Sequence, residues 1–172
     1  DFVFMSILPG RMQLMANDLD IPAEFGIFQT VGDTTGPGGI SRALRTLPTY
    51  ERYAERIIEH CPNAWVINYT NPMTLCTAAL YAAQPKIKAI GCCHEVFGTQ
   101  KKLAGLVERI WNEPKPPRNE IKLDIAGVNH FTFATRASWR GKDLFPLLDE
   151  YLQDHYDWSD QTEWAQTQAE EG

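Results

Sequence analysis

Ala64-Trp65-Val66-Ile67-Asn68-Tyr69-Thr70-Asn71-Pro72, followed by an unbroken run to Ala83, is the stretch whose reading decides the fold. Ala64 to Ile67 is apolar throughout and too short for a helix, so it reads as a buried strand ending at Asn68. Pro72 stands where a helix can begin without losing a useful N–H, and Pro72 to Ala83 reads as that helix. The same pairing recurs downstream, with Ile87 to Cys92 as a strand and Val96 to Trp111 as a helix. Upstream, the apolar run from Asp1 closes on Pro9-Gly10 and reads as a buried strand, with partly helical sequence from there to Glu24. Gly26 to Gly39 is too rich in glycine for a helix interior. From Ile40 to His60 apolar residues recur at helical spacing (Leu44, Leu47, Tyr50, Tyr53, Ala54, Ile57, Ile58), and Pro48 is expected to split this helix in two. Such alternation predicts an α/β fold, a parallel sheet with helices on both faces. Past the proline-rich loop Asn112 to Asn119, Ile121 to Ala126 and Phe131 to Trp139 read as strands on either side of Gly127-Val128-Asn129-His130.

Composition narrows the partners. A chain of 172 residues can bury one core. A net charge of −6 opposes general nucleic-acid binding, which needs a basic face. No apolar run approaches the ~20 residues that cross a bilayer, and no signal peptide opens the chain, so no membrane partner is expected. Cys61, Cys76, Cys92 and Cys93 lack the spacing of a disulfide framework, which predicts reduced thiols and a cytoplasmic protein. The opening strand has nothing before it, and Gln161 to Gly172 is polar and closes no core. The expectation is a fragment.

In parallel sheets ligands bind beyond the carboxyl ends of the strands, and three polar motifs fall there. Asn68-Tyr69-Thr70-Asn71 offers amides that donate and accept, suited to sugar hydroxyls or a ribose; it also suits a simple turn and helix cap. Gly91-Cys92-Cys93-His94-Glu95 offers a thiol and an imidazole, as metal ligands or acid–base groups, or else a buried cysteine pair beside a capping histidine. Asn129-His130 follows the next strand, and adjacency in one sheet would bring His130 to Cys93. Two protein ligands do not make a structural zinc site, but they suit an exchangeable ion completed by water and substrate. Gly36-Pro37-Gly38-Gly39 before a helix is either an anion cradle or a plain turn. His60 and His155 lie on polar, helix-like stretches and read as solvated.

Taken together, Ser6 to Gly10, Gly32-Asp33-Thr34-Thr35-Gly36-Pro37-Gly38-Gly39, Trp65 to Met73, Gly91 to Gly98 and Gly127 to Phe131 resemble glycoside hydrolase family 4, the NAD-dependent glycosidases. The wording from Cys92 to Gln100 is most similar to the α-galacturonidase branch. The resemblance implies a Rossmann-like NAD domain, akin to lactate and malate dehydrogenases, over residues 1–127, without its first βαβ unit. Residues 128–172 would begin a second, α+β catalytic domain. It implies Cys93 and His130 as ligands of Mn²⁺, although a soft thiolate by itself would favour zinc. It implies His94 as general acid, in a place where some members carry Asp, and Asn71 and Asn129 as substrate-binding residues. Ser6, Leu8, Pro9 and Asn68 fall where NAD should pass.

The implied chemistry is hydride transfer from C3 of the sugar to NAD⁺, loss of the acidified C2 proton, departure of the glycosidic oxygen, addition of water and return of the hydride. The family is an exception to two-carboxylate glycosidases. Its glycine-rich fingerprint is expected before Asp1, and its catalytic tyrosine after Gly172, since no tyrosine here matches. Such a fragment is expected to be inactive alone, and the whole enzyme to be a homo-oligomer acting on a small glycoside. Another family 4 glycosidase, an α-galactosidase or α-glucosidase, is one alternative, and two further readings stand beside it. One is an NAD-dependent 2-hydroxyacid dehydrogenase, which shares the Asn-Pro strand end but gives no reason for Cys93 with His130. The other is a non-catalytic, truncated binding domain.

Overall fold

The computed structural model describes residues 1–29 and 31–154; His155 and the polar stretch from Gln161 lie outside them. In chain order the elements are β1 (Phe2–Met5), α1 (Met12–Glu24), α2 (Gly36–His60), β2 (Trp65–Asn68), α3 (Met73–Ala83), β3 (Lys88–Gly91), α4 (Glu95–Trp111), β4 (Lys122–Val128), β5 (Phe131–Trp139), β6 (Lys142–Asp143) and α5 (Phe145–Asp154). The chain forms two compact units, one from Asp1–Glu95 with Ala126–Phe133, the other from Val96–Ile125 with the residues from Ala134.

The first unit is the parallel α/β layer that the strand–helix alternation predicts. Strands β1, β2 and β3 lie in chain order and pair in parallel, with Phe2 opposite Trp65 and Trp65 opposite Lys88. Each crossover is helical, as parallel neighbours require. Its core is Met5, Tyr50, Ala54, Val66, Cys76, Leu80 and their neighbours. Tyr50, Val66 and Leu80 are wholly removed from water. Each such side chain contributes roughly 1.5–3 kcal/mol relative to exposure. The opening strand differs from its expectation as a buried element. Side chains alternate across a strand, so Val3 and Met5 face the core while Phe2 and Phe4 remain 67% and 68% exposed.

Helix α2 also differs from expectation, at both its start and its middle. It begins at Gly36 rather than Ile40, with proline in its first turn. The glycines there serve close packing. A Cβ on Gly38 would stand 2.5 Å from the carbonyl oxygen of Asp18, and one on Gly39 would stand 2.3 Å from that of Thr34. Pro48 lies inside one continuous helix and does not divide it. Pro48 and Leu44, whose carbonyl loses its partner, are both exposed, so water can satisfy that oxygen. The opposite face, with Ala43, Thr46, Tyr50, Ala54 and Ile57 buried, holds the helix in place.

The second unit has its own core, built on Leu103, Val107, Ile121, Trp139, Leu144 and Leu147. Strands β4, β5 and β6 form a separate sheet in that order, and β5 pairs antiparallel with β6. Strand β4 continues to Val128, so the turn before β5 is only Asn129-His130. His130 adopts φ 60°, and Gly127 φ 126°, a conformation that side chains rarely take. Among the described residues no helix is long and apolar enough to cross a membrane.

Candidate active site

The ends of β1 and β2 are tied together by the loop residues that follow them. Ile7 N–H donates to Thr70 Oγ1 at 2.9 Å, and Tyr69 N–H to the carbonyl of Met5 at 2.8 Å. Asn68 fixes the turn from inside. It is fully buried, its Oδ1 accepts from Tyr50 Oη and Thr70 N–H, and its Nδ2 reaches Thr70 O, Met73 O and Thr77 Oγ1. Burial pushes the Tyr50 hydroxyl far above its usual pKa, so it stays a donor. A cleft of about 310 Å³ opens over this turn, lined by Ser6, Ile7, Leu8, Met15, Asp33, Arg42, Tyr69, Thr70 and Asn71. Ser6, Leu8 and Asn71 therefore share one cleft. Pro9, Asn68, His94 and Asn129 do not line it.

Cys93 and His130 come together, though not by adjacency in one sheet as the sequence had suggested. Cys93 follows β3 of the parallel sheet, and His130 sits on the β4–β5 turn of the other sheet. Cys93 Sγ lies 3.3 Å from His130 Nε2. Glu95, at the start of α4, braces both: its N–H faces Cys93 Sγ at 3.4 Å, and its carboxylate accepts from His130 N–H at 3.2 Å and Thr132 Oγ1 at 3.1 Å. His94, between them in sequence, is exposed. Among the described residues Asn129 Oδ1 is buried without a hydrogen-bond partner, where buried acceptors are normally paired.

Behind the histidine stands Asp33. Its Oδ1 accepts from Thr34 Oγ1 at 2.8 Å, and its Oδ2 accepts from Asn71 Nδ2 at 3.1 Å. Arg42, 7% exposed, donates through Nε to the Asn71 carbonyl and brings NH1 to 3.9 Å from Asp33. His130 Nδ1 is 2.9 Å from Thr34 Oγ1 and 3.9 Å from Asp33 Oδ1. Cleft and thiol–imidazole pair are thus one connected network. Asp33, Thr34, Arg42 and Glu95 escaped the sequence reading. Asp33-Thr34 sits in a glycine-rich loop that reads as a turn, and its contact to His130 spans 96 residues. The glycine run itself is no anion cradle, because Gly38 N–H is taken by Gln29 Oε1 and Gly39 N–H by Thr35 O.

The donor set fits a shared divalent ion. Metal–sulfur and metal–nitrogen bonds of ~2.3 and ~2.1 Å at tetrahedral or octahedral angles set the two donors about 3.1–3.6 Å apart. The observed 3.3 Å lies within that span. Among the described residues no third His, Cys, Asp or Glu completes a metal cluster. Among the described residues the other thiols join no cluster of metal-binding groups. Cys76 is fully buried and burial pushes its pKa to about 12, and all four cysteines are unbridged.

Fold and site define a Rossmann-like α/β layer whose strand ends carry a two-donor thiol–imidazole centre. Residues 1–109 match the family 4 glycosyl hydrolases and residues 125–171 the C-terminal domain of the same family. The chain belongs to glycosyl hydrolase family 4. It is 52% identical to an α-galacturonidase of Lachnoclostridium phytofermentans, over 91% of this chain and 34% of that protein. It is 51% identical to an α-galacturonidase of Bacillus subtilis, over 88% and 34%. The crystal structure of the Bacillus subtilis protein lplD superposes with a TM-score of 0.82 at 50% identity, covering 90% of this chain and 36% of that one. A Thermotoga maritima 6-phospho-β-glucosidase solved with manganese, NAD⁺ and glucose-6-phosphate gives 0.69 at 27% identity, covering 89% and 37%. The chain spans about a third of the length of the relatives it matches.

Proposed function

We propose that this chain contributes the metal-binding and substrate-orienting part of a cytoplasmic, homo-oligomeric α-galacturonidase that depends on NAD⁺ and Mn²⁺. In this reading residues 1–127 hold the dinucleotide and 128–172 begin the catalytic domain. The observation that carries it is the 3.3 Å approach of Cys93 Sγ to His130 Nε2, linked through Thr34 and Asp33 to the cleft at Asn71. Its supports beyond geometry are the family and the roughly half identity to α-galacturonidases of two bacteria.

Cys93 and His130 would hold the ion, and a bound divalent ion supplies Lewis-acid polarisation of sugar oxygens. Ser6 and Leu8 would help to hold NAD⁺, which when bound would supply a hydride acceptor. Asn71 is held from both sides, by Asp33 on its amide and Arg42 on its carbonyl, so its remaining amide capacity can orient a sugar hydroxyl. Asn129 Oδ1 offers a buried acceptor to another hydroxyl. His94 lies exposed beside the centre, where it can hand a proton to the departing glycosidic oxygen. Asn68 acts from within the fold by keeping the Asn71 turn in shape. A 2-hydroxyacid dehydrogenase would use the His130–Asp33 pair, but it leaves Cys93 on Nε2 without a task.

The test uses the purified enzyme that carries this chain, with NAD⁺ and Mn²⁺, on aryl α-galacturonide and aryl α-galactoside. The uronide should be hydrolysed at least ten times faster. Equal rates, or preference for the neutral sugar, would contradict the substrate assignment.

A further inference from the structure

Thr34 joins a carboxylate to an imidazole, and its single hydroxyl proton decides how. The hydroxyl lies 2.8 Å from Asp33 Oδ1 and 2.9 Å from His130 Nδ1. Thr34 Oγ1 donates to Asp33 Oδ1, so its one proton is committed there. The same oxygen then has only lone pairs left for the ring. Nδ1 must therefore carry a hydrogen and donate it to Thr34, which in the neutral ring leaves Nε2 as a bare lone pair. That lone pair stands 3.3 Å from Cys93 Sγ. Two electron-rich atoms so placed face each other favourably only with a proton or a cation between them.

We propose that Thr34 is a positioning residue that sets the Nδ1–H tautomer of His130 and so keeps Nε2 ready for a metal ion. This rests on the metal-centre reading above for its purpose, but not for its geometry. The local sequence holds Thr34 to the task. Its N–H and that of Thr35 both bond to the Val31 carbonyl, closing a tight turn. Gly39 lets the first turn of α2 sit directly against the Thr34 carbonyl, where any side chain would collide. From the other side the Glu95 carboxylate fixes the His130 backbone, which already holds a left-handed conformation. The backbones that carry the ring and the hydroxyl are therefore both held in place. Hydrogen bonds to the far nitrogen of a ligand histidine characteristically change metal affinity about 10–100-fold when removed.

The experiment is nitrogen NMR of ¹⁵N-histidine-labelled protein without added metal. The His130 signals, in the enzyme carrying this chain, are assigned by substitution at that position. The wild-type ring should show a protonated Nδ1 and an unprotonated Nε2. Thr34→Val should shift the ring toward the Nε2–H form and weaken Mn²⁺ binding, titrated by calorimetry, about 10–100-fold. Thr34→Ser keeps the hydroxyl and should restore both readings, which loss of packing alone would not predict. A wild-type ring with Nε2 protonated would overturn the proposal, even if Thr34→Val fails to fold. An unchanged tautomer in a folded Thr34→Val would overturn it equally. The expected tautomer together with no Mn²⁺ binding would uphold the relay and defeat the metal reading instead.

Discussion

Cys93 has two neighbours that define its chemistry, the Nε2 of His130 at 3.3 Å and the N–H of Glu95 at 3.4 Å. Replacing the sulfur with oxygen keeps the shape but gives up the soft sulfur donor. In the enzyme carrying this chain, Cys93→Ser should weaken Mn²⁺ binding and lower turnover by about two orders of magnitude or more. Calorimetry and steady-state rates check this, and normal values for both would remove Cys93 from the centre. His94 calls for a different readout, because an acid matters most when the leaving group is poor. His94→Ala should slow alkyl α-galacturonides more than activated aryl ones, and equal losses on both would exclude it as the acid. These two residues were legible in the sequence because each stands at a strand end, where the polar chemistry of a parallel sheet collects. Asp33 and Thr34 were not. Nothing local marks them as partners of a histidine 96 residues away.

At the level of elements, α1 is fastened to α2 by a pair that has no part in the chemistry. Asp18 is 7% exposed, and both its oxygens accept hydrogen bonds from the Arg45 guanidinium. Burial alone would raise the Asp18 pKa. Hydrogen bonds from Arg45 and Ser41, with the charges of Arg45 and Arg42, outweigh it and hold the group below its ordinary value of 3.8. A depressed carboxylate stabilises the fold fully above its unfolded pKa and loses that contribution as pH falls through the folded value. Asp18→Asn should therefore cost about 2 kcal/mol near neutral pH. The deficit should shrink steadily below about pH 4. Urea denaturation of both proteins across pH gives the comparison, and a deficit independent of pH would mean that the ion pair is not its source. Strand and helix order was readable here because apolar periodicity is a local property. The unbroken passage of α2 through Pro48 was not, since it depends on which face of the finished helix meets water.

Over the whole molecule, the parallel sheet gathers the ends of β1, β2 and β3, and the β4–β5 turn brings His130 to the last of them. Family membership could be read from the motifs in their order, whereas the route by which His130 reaches Cys93 needed the fold. In the proposed function this assembly serves oxidation and elimination rather than displacement at the anomeric carbon. Among the described residues that line the cleft Asp33 is the one acid, and it is already bonded to Thr34 and Asn71. The most direct measurement places deuterium at C2 of an aryl α-galacturonide and follows it through turnover by the enzyme carrying this chain. Elimination breaks the C2–H bond, so the label should be lost to solvent or should slow the reaction by a primary isotope effect. Full retention of deuterium at an unchanged rate would contradict the account.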